Sequence, residues 1–208
     1  MIAIVDYGVG NLFSLSCSLK SLNLKAGVTA DPEEIRKADR VILPGVEAFG
    51  DAIDKLRETG LDSVVLEQAA AGKPLLGICL GMQLLFDKGF EFGEHDGLGL
   101  LRGNVIPMQG TIPEGLKIPQ MGWNALIQKR SHPLLRDVKK GDCVYFVHSF
   151  YAADCEESLV ATTEYGKELT AVVAVDNVMG CQFHPEKSGE RGLDILRAFC
   201  ELKEEDLC

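Results

Sequence analysis

The sequence predicts an α/β fold: a mixed, mostly parallel central sheet flanked by helices. Three observations carry this. Short β-branched runs alternate with stretches of helical spacing over the first two thirds of the chain, and the remainder turns to Gly, Pro and short alternating strands. The composition, 46% hydrophobic and 25% charged over 208 residues, is that of an ordinary globular chain. At this length roughly 70% of the unfolded surface can be buried, so a core forms without staples. One domain over residues 1–208 is expected.

Ile2 to Val5 reads as a buried strand, and Asn11 caps a helix in which Leu12, Leu15, Leu19 and Leu22 recur at helical spacing. Arg40 to Leu43 gives another strand, followed by a helix carrying Ala48, Ala52, Ile53 and Leu56 and a second from Leu61 to Ala71. Pro74 to Ile78 forms a further strand, after which a helix is expected over Met82 to Phe86. Strands separated by helical crossovers pair in parallel. From Gly97 onward, Asn104 to Met108, Trp123 to Ile127, Cys143 to Val147 and Leu159 to Thr163 read as antiparallel strands. Ala171 to Val175, Val178 to Phe183 and an amphipathic segment with Leu193, Leu196, Phe199 and Cys200 close the chain. There is no repeat and no linker composition.

Lys and Arg total 21 against 31 for Asp and Glu, and the net charge of −10 repels phosphate backbones and anionic lipids, which excludes nucleic acid and membrane partners. The most apolar stretch, Val64 to Phe86, is broken by Glu67, Gln68 and Lys73 and is no membrane span. Met1 leads straight into Ile-Ala-Ile-Val without a basic n-region, so a cytoplasmic location is expected. The seven cysteines (17, 79, 143, 155, 181, 200 and 208) are scattered, which fits neither a disulfide framework nor a zinc site. Most are expected to act as small core hydrophobes, with neither metal nor cofactor required.

The sharpest local signal is Gly77-Ile78-Cys79-Leu80-Gly81, placed where a strand ends and a helix begins. A nucleophile on such an elbow is held strained, and its glycine neighbours prevent a clash. The helix N-terminus favours a thiolate, and Leu80 offers its N–H to an oxyanion. The pentapeptide alone fits a buried core cysteine equally well, so distant residues decide. A thiol nucleophile needs a base, and the base an orienting group.

Of the four histidines, His184 follows the Val178 to Phe183 run and precedes Pro185 and Glu186, so a strand delivers it to a turn from which the acid folds back on the imidazole. His132 reads as a surface loop residue, His95 as part of a solvated turn, and His148 as a strand-end residue that either packs or flanks the site. Leu43-Pro44-Gly45-Val46-Glu47 is another strand-to-helix junction, an ordinary turn or an oxyanion wall.

Taken together these segments resemble the class I glutamine amidotransferases, with a flavodoxin-like sheet, a Cys on a G-x-C-x-G elbow and a His-x-Glu far downstream. The resemblance is more specific to the glutaminase subunits of imidazole glycerol phosphate synthases. It rests on Asp6 to Asn11, Leu43 to Val46, Gly77 to Gln83, Met121 to Asn124, Tyr145 to Ser149 and Gln182 to Ser188. It implies hydrolysis of L-glutamine through an acyl-enzyme, with Cys79 attacking, His184 moving the proton and Glu186 orienting His184. It further implies an oxyanion site at Leu80, Val46 and Gly45, and a glutamine pocket at Gln83, Glu91, Ser149 and Phe150. Ammonia passes, on this resemblance, to a cyclase subunit with a (β/α)8 barrel in histidine biosynthesis. Asn11, Trp123, Asn124, Tyr145 and Lys187 then face that heterodimer partner.

Three positions depart from the pattern: Glu47 for an expected Gly, Gln120 for His, and Phe150 for Tyr. Glu47 is expected to point outward, since an inward carboxylate would oppose a thiolate. Rival readings are a glutaminase of another synthase, a free-standing cysteine hydrolase and a regulatory pseudo-amidotransferase. Gly8-Val9-Gly10 is a partial dinucleotide fingerprint, but Phe13 stands where its third glycine belongs.

Overall fold

The computed structural model describes residues 1–207. Parallel pairing begins at the N-terminus, where β1 (Ile2–Val5), fully buried, lies between β2 (Ala26–Thr29) and β3 (Arg40–Leu43). Between them run α1 (Leu12–Ser21), whose Asn11 side chain accepts from the Ser14 N–H at 3.4 Å, and α2 (Pro32–Lys37), capped by Asp31 with Pro32 in its first turn. After β3 come α3 (Phe49–Glu58) and α4 (Leu61–Ala70), then β4 (Leu75–Ile78), parallel to β3.

A single helical turn, α5 (Leu80–Gln83), follows, in place of the helix expected over Met82 to Phe86. Phe86 instead opens β5 (Phe86–Gly89), because pairing with β7 (Leu101–Pro107) recruits it into a second sheet. That sheet has four strands in the order β10-β7-β5-β6, with β6 at His95–Asp96 and β10 at Phe150–Ala153.

The main sheet has nine strands, completed by β8 (Gln120–Gln128), β9 (Cys143–His148), β11 (Leu159–Glu164), β12 (Glu168–Val175) and β13 (Val178–Cys181). Its order is β2-β1-β3-β4-β13-β12-β11-β8-β9. Strands β2 through β13 in that order are parallel, and the ladders from β13 to β9 are antiparallel, so the sheet is mixed about β13. The last helix, α6 (Gly189–Glu201), returns to pack beside α1.

Strand alternation separates two cores. Ala3, Val5, Val41, Leu43 and Leu75 pack with Ile35, Ile53, Leu56 and Val65 of α2, α3 and α4. Ile2, Ile4, Ile42, Leu76 and Ile78 pack with Leu15, Leu19, Ile195 and Phe199 of α1 and α6. The sheet is thus covered on both faces, as parallel strands require.

Cys79, Cys155 and Cys181 are buried and Cys200 packs partly buried against the core, as expected for most of the cysteines, whereas Cys17 and Cys143 are exposed; Cys208 lies outside the described residues. Among the described residues no helix is long and apolar enough to cross a membrane, and no group of His, Cys, Asp and Glu side chains is arranged to hold a metal ion.

Candidate active site

Strand β4 carries the chain to Cys79, whose φ of 53° and ψ of −111° lie where a non-glycine residue is strained by about 1–3 kcal/mol. The surroundings hold it there. Its N–H donates to the Cys181 carbonyl at 2.8 Å, tying it to β13. A Cβ on Gly81 would sit 1.8 Å from the Leu43 carbonyl oxygen, and one on Gly77 2.6 Å from the Met82 Cα. Backbone therefore packs on backbone on both sides of the cysteine, which is why the flanking positions are glycine. Because α5 is only one turn long, its dipole contributes little here.

His184 arrives from the far side. After β13, Gln182 and Phe183 remain buried, and the His184 N–H donates to the Tyr145 carbonyl at 3.0 Å where the chain turns through Pro185–Lys187. Ser188 locks this turn, donating from Oγ to the His184 carbonyl at 2.6 Å and accepting from the Tyr145 N–H at 2.9 Å. The His184 Nδ1 meets Glu186 Oε1 at 2.8 Å, both side chains being 3% exposed. An ionised Glu186 accepts from Nδ1–H, leaving Nε2 for the sulfur. Burial disfavours the charged ring, but hydrogen bonds to Cys79 and Glu186, together with their negative charges, outweigh it and push the His184 pKa up to about 9. Glu186 Oε2 is buried without a partner among the described residues, so the imidazole is this carboxylate's main compensation.

Cys79, Leu80 and His184 open into a cavity of about 340 Å³. Gln83, Glu91, Ser149 and Phe150, the four positions predicted to hold glutamine, line the same space. Two of them also serve the scaffold. The Gln83 amide nitrogen donates to the Phe150 carbonyl at 3.1 Å and to Gln182 Oε1 at 3.0 Å, leaving its oxygen for a ligand. Glu91 Oε2 accepts from the Phe49 N–H at 2.8 Å, capping α3, whose own N-cap residue, Ala48, supplies no side-chain bond.

Glu47 stands at the cavity wall but turns to Lys55 of α3, 2.6 Å away, with about two fifths of its side chain exposed. The other end of this junction is fixed by Tyr7, whose hydroxyl donates to the Pro44 carbonyl at 2.7 Å. Burial, with the negative charges at Glu47 and Cys79, raises the Tyr7 pKa and keeps the hydroxyl a donor. Gly45 packs on the elbow, its Cβ position 2.9 Å from the Gly81 nitrogen. Among the described residues the N–H groups of Gly45, Val46 and Leu80 make no hydrogen bond within the chain.

Trp123 and Tyr145 are register partners in the β8–β9 ribbon and meet edge-on, with ring centroids 6.0 Å apart. Trp123 is exposed, as is its neighbour Met121. Asn124 is bound up in the ribbon, accepting from Gln120 at 3.1 Å, and Asn11 is occupied in capping α1. Lys187 borders the cavity itself.

Of the other histidines, His148 packs at the end of β9 and flanks the site, while His95 and His132 differ from expectation. His148 is buried and lines the cavity, with Nδ1 2.8 Å from the Phe150 carbonyl and Nε2 3.0 Å from Gln120 Oε1; burial holds its pKa down to about 4. His95 is half-buried against Phe49 and Gly50, not a solvated turn residue. His132 accepts from the Leu134 N–H at 3.1 Å and is half-buried. Tyr7 and Gln182 lie within the motif segments but had no role assigned there, and Lys55 lies outside them; a glutamine interrupting the apolar run before His184 is the available signal for Gln182.

A strained thiol, an imidazole–carboxylate pair and unpaired N–H groups around one cavity suit acyl transfer from an amide. Residues 3–202 match the family model described as glutamine amidotransferase class-I. The chain belongs to the class-I glutamine amidotransferase family. Solved structures show the same fold: a glutamine amidotransferase at TM-score 0.75 and 20% identity, covering 97% of this chain and 98% of the other, and PurLQS from Thermotoga maritima at 0.74 and 22%, covering 96% of each. Within the family the chain is similar to the imidazole glycerol phosphate synthase subunit HisH of Wolinella succinogenes, 50% identical over 97% of this chain and 100% of that one. The subunit of the same name from Caldanaerobacter subterraneus subsp. tengcongensis is 51% identical over 97% and 98%.

Proposed function

We propose that the chain, as one amidotransferase domain over residues 1–208, is the glutaminase subunit of an imidazole glycerol phosphate synthase. The observation that carries this is the convergence of Cys79 and His184 on one cavity, with Glu186 bonded to His184 behind it, on a chain about half identical to the HisH subunits over nearly its whole length. The Cys79 sulfur attacks the side-chain amide carbon of L-glutamine while His184 holds the proton. The C–N bond then breaks, the nitrogen takes that proton from His184, and ammonia leaves a thioester. Water, deprotonated by His184, cleaves the thioester to glutamate.

Leu80, with Gly45 or Val46, donates to the oxyanion. Gln83, Glu91, Ser149 and Phe150 hold the zwitterionic substrate. The ammonia passes to a cyclase subunit with a (β/α)8 barrel in the cytoplasm, since in bulk water at pH 7 most of it would be protonated and lose its nucleophilic lone pair. Trp123 and Tyr145 form the centre of the docking face, with Asn11, Asn124 and Lys187 around it. Glu47 is turned to Lys55, whose ammonium offsets its charge at the cavity wall, which favours an active enzyme over a pseudo-amidotransferase.

Glutamate release is measured for the chain alone, with the cyclase barrel, and with the barrel plus its nucleotide ligand. Strong stimulation across the three is expected. Equal rates would point to a free-standing hydrolase, and no turnover in any would overturn the reading.

A further inference from the structure

Gln182 is fully buried, and its amide nitrogen lies 3.7 Å from the Cys79 sulfur. The sense of this amide is fixed by a neighbour. The Gln83 nitrogen is 3.1 Å from the Phe150 carbonyl oxygen, which can only accept, so Gln83 must present its NH2 there. The second hydrogen of that NH2 points to Gln182, 3.0 Å away, which must answer with its oxygen. The Gln182 nitrogen is thereby left facing the sulfur, and both amides are satisfied in no other sense.

We propose that Gln182 is a further catalytic residue, donating a hydrogen bond that holds the Cys79 sulfur as a thiolate and aims it into the cavity, while Gln83 is the positioning residue that fixes the donor's sense. The role in turnover rests on the glutaminase reading; the sulfur contact does not. The titratable groups around the sulfur are His184 and Glu186 from the turn after β13, Cys181 from β13, Tyr7 from the segment after β1, and Glu47 from the junction after β3. Tyr7 and Cys181 stay protonated through the neutral range and Glu47 is paired with Lys55, which leaves His184 and Gln182 as the side chains that hydrogen-bond the sulfur. A hydrogen bond to a charged group changes an equilibrium by about tenfold or more.

The test is the rate of Cys79 carboxamidomethylation by iodoacetamide from pH 5 to 10, read on the Cys79 peptide by mass spectrometry because Cys79 is reached through the cavity while Cys17 and Cys143 are exposed and react as well. In Gln182→Met the rate at pH 6–7 is expected to fall about tenfold, with the loss disappearing by pH 10 as the pH of half-maximal rate moves up. Gln83→Met, which frees the Gln182 amide to rotate, is expected to move the same profile in the same direction by a smaller factor, and it carries the test if Gln182→Met does not fold. A profile within twofold of the parent in either folded variant would overturn the proposal. Glutamate release by the parent with its barrel is measured in parallel, so failure of the glutaminase reading shows there and leaves the alkylation result to stand separately.

Discussion

At Cys79 the backbone carries the strain, and the side chain gains a fixed line of approach. The residues on either side make that possible, and for that reason they are readable in sequence: glycines that two backbones crowd leave a local signature. His184 and Glu186 are readable for the same reason, being two positions apart and bonded to each other. Replacing Glu186 by Gln keeps the shape but removes the charge that orients and stabilises the imidazolium, and kcat is expected to fall by about 10²–10⁴ with little change in KM. Glu47→Gly, assayed with the partner present, is expected to alter kcat less than tenfold, because the Glu47 side chain is already drawn to Lys55; a rise of about a hundredfold would mean that the carboxylate obstructs an oxyanion donor. The roles of Tyr7, Lys55 and Gln182 are not legible in the sequence because their partners, Pro44, Glu47 and Cys79, are joined to them only by the fold.

Strands β1, β3 and β4 and helix α4 are legible in the sequence to within a residue, and α1, α3 and α6 by their apolar spacing but not by their bounds. Those that were not are short or borrow their stability. Strand β2 is four residues with Gly27 inside and one edge open, α2 is six residues held by its cap, and β10 exists because β7 pairs with it. The truncation of α5 shows a parallel ladder to β7 overriding helical spacing after Gln83. Helix α3 illustrates the reverse debt, since its N-terminus is closed by Glu91 from another segment. Glu91→Ala is expected to cost about 1 kcal/mol in denaturant unfolding through the lost cap, and separately to raise the KM for glutamine. A change in stability without a change in KM would remove Glu91 from the substrate pocket.

Over the whole molecule, two buried histidines tilt stability in opposite directions. The raised pKa of His184 makes its contribution fully present below 6.5 and lost as pH climbs through about 9, because the folded state holds a proton that the unfolded chain releases. The depressed pKa of His148 produces a penalty as pH falls from 6.5 through about 4, where only the unfolded chain takes up the proton. Urea unfolding across pH should show a maximum near 6.5, with His148→Gln flattening the acid side and Glu186→Gln the alkaline side. Trp123→Ala is expected to weaken partner binding by about tenfold or more by titration, leaving the unfolding midpoint of the chain alone nearly unchanged. The two-faced α/β plan was visible from composition and alternation, but the change of strand direction at β13 was not, since apolar runs do not encode the direction of their neighbours.

The ring of Tyr145 rests against the exposed indole, while its main chain receives the N–H of His184 and gives its own to Ser188. One amino acid is thus fastened at once to the outer skin and to the proton carrier. On the proposed docking of a partner at this face, a push on the indole reaches the turn that holds His184 through Tyr145 with no residue in between, so changes at that face are expected to alter turnover as well as binding.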